Sequence, residues 1–534
     1  MCYLRFVFIT LFAIILQSVV AQEDNGNSSN SQGATDVDKF LEQQDAQFER
    51  FFKQQDERFD DFIQKKQKEF DEFRRKKNEE FAKYLGKPWG VYQMKKGVVP
   101  KNEKEVKPII YNQEQQGHDK GKEIRGEVVP IKNITPGPQP KPEDPIMDNE
   151  EALDYSVFFF YGTPMKVRWG DIKNFKLANT DEKSIAKAYN ELTDTKYNNL
   201  MSDCLNLRKT YDLCDWAYYQ MLKSLSEAAC GKGTNEAVFL QGFLYQESGY
   251  NMRFARSTTN KKLHLLVTIN GEAFRYNFQL VGGNVYYLFD GCKEQNLRIS
   301  TFGKKNTKEM RMEIEKLPRL KKIMSVEKRI KAQSYPIIVN SYVNKNLVDF
   351  FNDYPTSYCS GNMMTRWAYY ANTPISDEIK RLVYPALKEK IANSTPEKAA
   401  NILLDWIQPP YDDGKILPQG VQVGFPYLKD EIQWSHDRAF FAEETFYYPG
   451  SDCEDHAILF SHLIRDLLGL DVVLVYYPGH LATAICFNEN VDGDFIMVKN
   501  RKFVVADPTY TGAPVGETMP ACQGKETKVI LCNR

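Results

Sequence analysis

Three residues near the C-terminus have the types and the order that nucleophilic catalysis needs. Cys453 begins an apolar stretch that ends at Gly469, His480 opens a predicted strand, and Asp507 closes another. A thiol at a helix start lies at the positive end of the helix dipole, which lowers its pKa and favours the thiolate nucleophile. A histidine and an aspartate on neighbouring strands would supply the base and the group that orients it. The order predicts a Cys-His-Asp triad.

Nearby groups of similar chemistry have simpler explanations. His456 and His462 share the predicted helix with Cys453, but no well-spaced fourth ligand for a structural zinc ion accompanies them. The sequence therefore predicts no metal and no cofactor. Cys486 is expected in the core or in a disulfide. Each triad residue alone would also suit an ordinary buried thiol, strand-edge histidine or turn aspartate, and it is their joint order that favours catalysis.

Segment 402–510 resembles the core of the transglutaminase-like superfamily, whose fold is related to that of papain. The likeness rests on the helix introduced by Gly450-Ser451-Asp452-Cys453, on the histidine strand, and on Asp507-Pro508-Thr509. It implies an α+β fold in which the helix bearing the cysteine packs on an antiparallel sheet, with Cys453, His480 and Asp507 catalytic. Two departures are Ser451 in place of a common glycine and a short interval of 27 residues between cysteine and histidine.

The resemblance also suggests where donors to a developing oxyanion would lie. One is the backbone N–H of Cys453. The second is sought upstream, where related enzymes place a tryptophan or a glutamine; the candidates are Gln408, Gln433 and Trp434. No calcium-binding loop is evident, which argues against a calcium-gated cross-linking enzyme.

An earlier part of the chain parallels the triad region. At an offset of 220 residues, the stretch that begins at Gly233 matches the stretch that begins at Cys453, and His264 and Asp290 then follow in the same order. Residues 151–295 are therefore predicted to be a degenerate copy of the catalytic domain that lacks the cysteine. This copy is expected to bind or pack without turnover, and the alternative is a chance similarity between two α/β regions.

The N-terminus predicts export. Arg5, the apolar run that ends at Val20 and the small residues before Gln22 are typical of a cleaved signal peptide, residues 1–21. No second apolar run is present to hold the mature chain in a membrane, and its nine remaining cysteines suit an oxidising compartment. The polar residues 22–36 are expected to be disordered.

Residues 37–85 predict one long amphipathic helix. Aromatic residues recur every eleven positions at Phe40, Phe51, Phe62, Phe73 and Tyr84, and a parallel column holds Phe48, Phe59, Phe70 and Phe81. Eleven residues span three helical turns, so these columns share one stripe. Such a stripe favours self-association into a coiled-coil bundle, while packing on the protein's own body is the alternative.

The remaining boundaries follow from composition. Residues 86–150 are rich in Pro, Lys and Glu and are expected to be an extended linker. A mixed connecting region, helical towards its end, is predicted for residues 296–395, and the transglutaminase-like catalytic domain for residues 396–534. With 70 basic and 71 acidic residues, the chain has a net charge of −1, which excludes a globally basic nucleic-acid binder.

These observations predict an exported cysteine hydrolase, similar to a protease or an amidase, that acts on a peptide or protein through a thioester. A periplasmic, cell-envelope or secreted location is expected. Two alternatives stay open: a non-catalytic protein of the cell envelope that binds peptides or glycopeptides, and an acyltransferase that cross-links proteins.

Overall fold

The computed structural model describes residues 31–99, 104–112, 121–131, 137–144, 146, 148, 154–411, 416–417, 420–429 and 438–532. The predicted signal peptide, residues 1–21, lies outside them. Within the described residues, no helix is long and apolar enough to cross a bilayer. All nine cysteines in this part of the chain are free thiols.

The protein is a mixed α+β protein. Its eleven α-helices among the described residues are α1 (Ser31–Leu85), α2 (Glu182–Leu192), α3 (Asn198–Thr210), α4 (Asp215–Cys230), α5 (Asn235–Glu247), α6 (Lys345–Asn352), α7 (Arg366–Asn372), α8 (Asp377–Ile391), α9 (Pro396–Ile407), α10 (Glu444–Tyr447) and α11 (Cys453–Leu463).

The strands belong to two six-stranded sheets and three smaller ones. In chain order they are β1 (Gly90–Gln93), β2 (Gly126–Val128), β3 (Tyr155–Phe160), β4 (Thr163–Arg168), β5 (Met252–Ser257), β6 (Leu263–Val267), β7 (Glu272–Ala273), β8 (Phe278–Val281), β9 (Asn284–Leu288), β10 (Asn296–Ile299), β11 (Lys328–Lys331), β12 (Ile338–Ser341), β13 (Ser357–Tyr358), β14 (Ile416–Leu417), β15 (Val421–Val423), β16 (Asp471–Tyr477), β17 (His480–Cys486), β18 (Phe495–Val498), β19 (Arg501–Ala506) and β20 (Thr527–Leu531).

The long helix α1 begins earlier than the sequence pattern predicts. It starts at Ser31, so residues 31–36 are helical rather than disordered. Once a helix of this length exists, adding residues to its end incurs no second nucleation cost, and the polar composition of these residues is no barrier. Of the described residues, those up to Glu72 form one unit, and those from Phe73 onward form another.

The aromatic stripe of α1 is exposed in one part of the helix and buried in another. Phe48, Phe51 and Phe59 are 37–56% exposed. Near the C-terminal end of the helix, Phe81 and Leu85 are buried instead, and Phe81 packs edge-on against a tyrosine of α2 at a ring distance of 5.2 Å. The C-terminal part of the stripe therefore packs on the protein's own body, and self-association of the N-terminal part stays a prediction.

The segment after α1 is more than a tether. Strand β1 pairs antiparallel with β10, and β2 pairs parallel with β20, so the linker adds one edge strand to each large sheet. Edge pairing uses main-chain hydrogen bonds and needs little apolar side-chain surface, which is why composition alone conceals it.

The two large sheets have the same strand arrangement. The first has the order β1-β10-β5-β6-β9-β8, and the second has the order β2-β20-β16-β17-β19-β18 when read from the corresponding edge. In each, five strands that follow one helix in sequence occupy equivalent places. Helix α5 packs on β5 and β6 of the first sheet, and α11 packs on β16 and β17 of the second.

Candidate functional site

The thiol is fixed at the first position of α11 by its neighbours. Asp452 is the N-cap: its carboxylate accepts the Glu454 N–H at 3.1 Å, and the Asp455 carboxylate accepts the Asp452 N–H at 3.2 Å. This reciprocal capping box satisfies N–H groups that a helix start would otherwise leave unpaired. The predicted helix start at Cys453 is thus confirmed. The helix closes with a π-helical turn to Leu468 and the left-handed Gly469, where the sequence pattern ends it.

His480 and Asp507 meet across neighbouring strands. Thr483 of β17 pairs with Ala506 of β19, which brings the start of one strand to the end of the other. Nε2 of His480 lies 2.8 Å from Oδ2 of Asp507, and both residues are buried. Oδ1 of Asp507 accepts the Thr509 N–H and hydroxyl, each at 3.0 Å. Burial alone would raise the pKa of Asp507, but His480 and Thr509 hold that pKa below its ordinary value.

Cys453 lies beside this pair. Its sulfur accepts a hydrogen bond from the backbone of Leu481, the residue that follows His480. The second ring nitrogen, Nδ1 of His480, is buried and has no hydrogen-bond partner among the described residues. One imidazole nitrogen of His480 is thus held by a carboxylate, and the other makes no hydrogen bond within the described residues. The structure brings His480 and Asp507 into direct contact and places the sulfur of Cys453 against the residue that follows His480.

The electrostatics of the thiol differ from the prediction. The helix dipole was expected to lower its pKa, but burial, followed by the charges of Asp452 and Glu454, raises the pKa of Cys453 well above its ordinary value. Only 7% of Cys453 is exposed. The helix dipole stabilises the thiolate by only about 1 kcal/mol or less. This gain is outweighed because the thiolate would form away from water and next to two carboxylates.

Gln408 has a different position from the one predicted for an oxyanion donor. Its side-chain N–H groups donate to the carbonyls of Tyr510 at 2.8 Å and Ala513 at 3.0 Å, with a longer contact to that of Asp507 at 3.3 Å. Its carbonyl accepts the Gly512 N–H at 2.9 Å. Gln408 is thus engaged in holding the loop that carries Asp507. The other two candidates, Gln433 and Trp434, lie outside the described residues.

One residue beside the site, Tyr427, was not assigned to it by the sequence analysis. Tyr427 lies close enough to Cys453 that burial, together with the charges of Cys453 and Asp452, raises the pKa of its phenol far above the usual range. The neighbouring Leu428 N–H donates to the Ser451 carbonyl at 3.0 Å, which places this segment beside the start of α11. No sequence motif marks Tyr427, because its place in the site depends on a contact between distant loops.

The remaining histidines of α11 are structural. Both ring nitrogens of His456 lie near carbonyl oxygens, Nδ1 at 2.6 Å from Asp452 and Nε2 at 2.9 Å from Phe425, and burial lowers its pKa. His462 is also buried, and burial followed by the Arg465 charge lowers its pKa well below the ordinary value. Cys486 is buried in the sheet core, in line with the prediction. Within the described residues, the groups whose ligand atoms lie close enough to hold a metal ion are Asp452, Cys453 and Glu454, and separately His264, Asp290 and Cys292.

The first sheet also carries a His-Asp pair, which partly matches His480 and Asp507. His264 lies on β6, Asp290 follows the neighbouring β9, and His264 Nδ1 is 2.5 Å from Asp290 Oδ2. Here the unpartnered nitrogen is Nε2, whereas at the second sheet it is Nδ1. The two histidines therefore present opposite ring atoms to their aspartates.

The residue that corresponds to Cys453 is Asn235, which corrects the sequence alignment by two positions. Thr234 is the N-cap of α5 and Asn235 its first residue, while Gly233 precedes the cap with a left-handed φ of +74°. Oδ1 of Asn235 accepts the Leu263 N–H at 2.9 Å, much as the sulfur of Cys453 accepts a hydrogen bond from Leu481. Sequence similarity missed this shift because apolar residues of a buried helix match in several registers.

A small cavity borders this first arrangement. It has a volume of about 60 Å³ and is lined in part by Gly233, Gln241 and Asp290. That volume is enough for a few water molecules.

Comparison with protein-family models, with curated proteins and with solved structures finds no match to this chain.

Proposed function

We propose that the protein is a cysteine hydrolase, similar to a protease or an amidase, in which Cys453, His480 and Asp507 form the catalytic triad. The observation that carries the proposal is the geometry of His480: its Nε2 is 2.8 Å from a buried carboxylate, and its Nδ1 has no hydrogen-bond partner among the described residues. The sulfur of Cys453 accepts a hydrogen bond from the backbone of the next residue, Leu481. That is the arrangement a general base needs if one nitrogen is to be oriented and the other is to exchange a proton.

The chemistry follows from these contacts. His480 Nδ1 accepts the thiol proton as the sulfur of Cys453 attacks a carboxamide carbon and forms a C–S bond. The tetrahedral oxyanion is stabilised by the backbone N–H of Cys453, which the capping box of α11 does not use. Collapse breaks the C–N bond, and the imidazolium donates its proton to the leaving amine. Water then loses a proton to Nδ1, attacks the thioester and releases the acid and the thiol.

The fold proposal is a transglutaminase-like, papain-related core that occurs twice. Its support is the shared strand order of the two large sheets, with a helix before each and a His-Asp pair in each. In the first half, an amide at Asn235 stands where the second half has a thiol. We accordingly propose that the predicted region 151–295, extended to Ile299 so that it includes β10, is a degenerate copy with no nucleophile at the helix start.

The decisive experiment compares Cys453→Ala with Cys486→Ala in the purified chain. We expect the first variant to lose all turnover of a peptide library and all thioester captured with hydroxylamine, and the second variant to retain both. Cys486 is the matched control, since it is a buried thiol on the strand that His480 begins. Turnover by Cys453→Ala equal to that of the wild type would refute the proposal.

A second candidate is a non-catalytic binding protein, and the raised pKa of Cys453 favours it. The two candidates differ in the reactivity of the thiol. A catalytic site must reach a thiolate at neutral pH in some accessible state, whereas a binding module has no such need. Transfer to an amine instead of water would make the same site a cross-linking acyltransferase, and added lysine analogues distinguish that outcome by the product they form.

Two further proposals come from the N-terminal part of the chain. Export to the periplasm, the cell envelope or the medium is proposed from the sequence of residues 1–21. Self-association is proposed for α1, with support from the phenylalanines that its N-terminal part exposes.

A further inference from the structure

An extended segment of the linker lies against the candidate active site. Residues 104–112, called here the strap, contain neither a helix nor a named strand. The Val106 N–H donates to the Gly479 carbonyl at 2.8 Å, and the Tyr111 N–H donates to the Thr511 carbonyl at 2.8 Å. In return, the Thr511 N–H donates to the Ile109 carbonyl at 3.2 Å. Gly479 directly precedes His480, so the strap is hydrogen-bonded next to the proposed base.

One strap residue reaches the other wall of the site. The Glu105 carboxylate accepts a hydrogen bond from the Tyr427 hydroxyl and forms an ion pair with Lys429. Tyr427 belongs to the segment beside the start of α11. Because the adjoining Val106 is bonded to Gly479, the strap spans from the side of the base to the side of the nucleophile. Cys453 and His480 are both buried in this arrangement.

Features of both the strap and the sheet fit the two to each other. Gly479 has a φ of +81°, and a Cβ at this position would overlap the Lys104 carbonyl. A side chain is therefore excluded twice, by backbone conformation and by the approach of the strap. Val106 and Tyr111 pack on the apolar cluster of the second sheet, and the Tyr111 ring meets Tyr510 edge-on at 5.5 Å.

We infer that the strap occupies the groove in which this site binds an extended peptide, and that it holds the full-length protein latent. The inference rests on the proposed function. A bound peptide strand could make the same main-chain hydrogen bonds to Gly479 and Thr511, whatever its own side chains are. Tyr427 and Lys429 would in addition select an acidic residue in that peptide. The substrate class is thus an extended peptide that carries a carboxylate at the place of Glu105.

The inference links burial to reactivity. While the strap is in place, the thiol is kept from water, and burial is the main cause of its raised pKa. Displacing the strap hydrates the site and lowers the cost of forming the thiolate. The same step admits the substrate, so opening the groove and activating the nucleophile are one event.

The test measures how fast iodoacetamide alkylates Cys453 in the full chain, site by site, by peptide mass spectrometry. Glu105→Ala removes both contacts of the carboxylate without touching the triad, and we expect the rate to rise at least about fivefold. Glu127→Ala is the matched control, because Glu127 lies in the same linker and also pairs with a lysine, Lys528, but belongs to β2. It should leave the rate unchanged.

A synthetic peptide of residues 104–112 supplies the second measurement. Added to Glu105→Ala, it should slow alkylation and inhibit peptide turnover, and the same peptide with alanine at the glutamate position should act more weakly. Equal alkylation rates in wild type and Glu105→Ala would overturn the inference. If both proteins also turn over peptides readily, the proposed function survives that loss. If Glu105→Ala exposes the thiol to alkylation but no variant turns over a peptide, the proposed hydrolase function falls, and the substrate-like role falls with it.

Discussion

Replacing Asp507 with asparagine tests whether His480 is oriented for catalysis. In the wild-type protein, Nε2 of His480 lies 2.8 Å from a carboxylate oxygen of Asp507. Asparagine keeps an oxygen for the two Thr509 donors, but it places an NH₂ group opposite Nε2 of His480. The ring must then accept at Nε2 and carry its proton on Nδ1. A protonated Nδ1 cannot take the proton of the Cys453 thiol, so the substitution blocks the first chemical step while it preserves the shape of the site.

The expected loss is large because the effect acts on the transition state. The equivalent change in a Ser-His-Asp protease costs about 10⁴-fold in kcat, and we expect roughly 10³–10⁴-fold here, or about 4–5.5 kcal/mol of activation free energy. Asp507 and His480 are both buried, so the lost charge-assisted hydrogen bond should also lower the free energy of unfolding by about 1–3 kcal/mol.

Single-turnover kinetics on a peptide substrate, with urea unfolding alongside, separate the two effects. Asp290→Asn is the matched control, since it makes the same change in the His264–Asp290 pair, whose helix begins with Asn235 instead of a thiol. We expect the control to keep kcat within about twofold, because the helix beside that pair begins with Asn235, and the nearby thiol of Cys292 is not at a helix start. A kcat for Asp507→Asn within tenfold of the wild type, in a folded protein, would refute the orientation argument.

Three further predictions follow from other parts of the molecule. Gln408→Ala should free the loop that carries Asp507, with turnover reduced about tenfold and the free energy of unfolding reduced by about 1–3 kcal/mol; unchanged kinetics would contradict the loop-positioning role. Burial raises the pKa of Glu443 to about 7 from an ordinary 4.5, so the folded state retains a proton that the unfolded state releases, and stability should fall as pH rises between these values. Glu443→Gln should remove that dependence and gain up to ~3 kcal/mol at about pH 8 but little at about pH 4, in urea titrations at both values. Phe59→Asp on the exposed stripe of α1 should shift the mass in light scattering towards the monomer, whereas Gln64→Asp, on the opposite helical face, should not.

The helix and strands that carry the triad were predictable because their signals are local. The apolar run after Cys453, the capping pattern Asp452-Cys453-Glu454-Asp455 and the short β-rich runs around His480 depend on residues near one another in the chain. The first residues of α11 and β17 agree with prediction for that reason. Where the signal was an alignment of one apolar helix with another, the register shifted by two residues, and Asn235 replaced Gly233 at the first position of α5.

The sequence by itself determined the identity and order of the residues proposed as a triad and the aromatic stripe of α1, because residue types and periodicities persist in any conformation. Only the tertiary structure decided the direction in which the pKa of Cys453 shifts, the hydrogen bonds that Gln408 makes, and the strands and loops that the linker contacts. The pKa of Cys453 depends on how much water the folded chain excludes and on which charges it brings near, and neither is a property of the helix alone. The strap meets Gly479 across more than 370 positions of sequence through main-chain groups that every residue type possesses, so no pattern of side chains announces it.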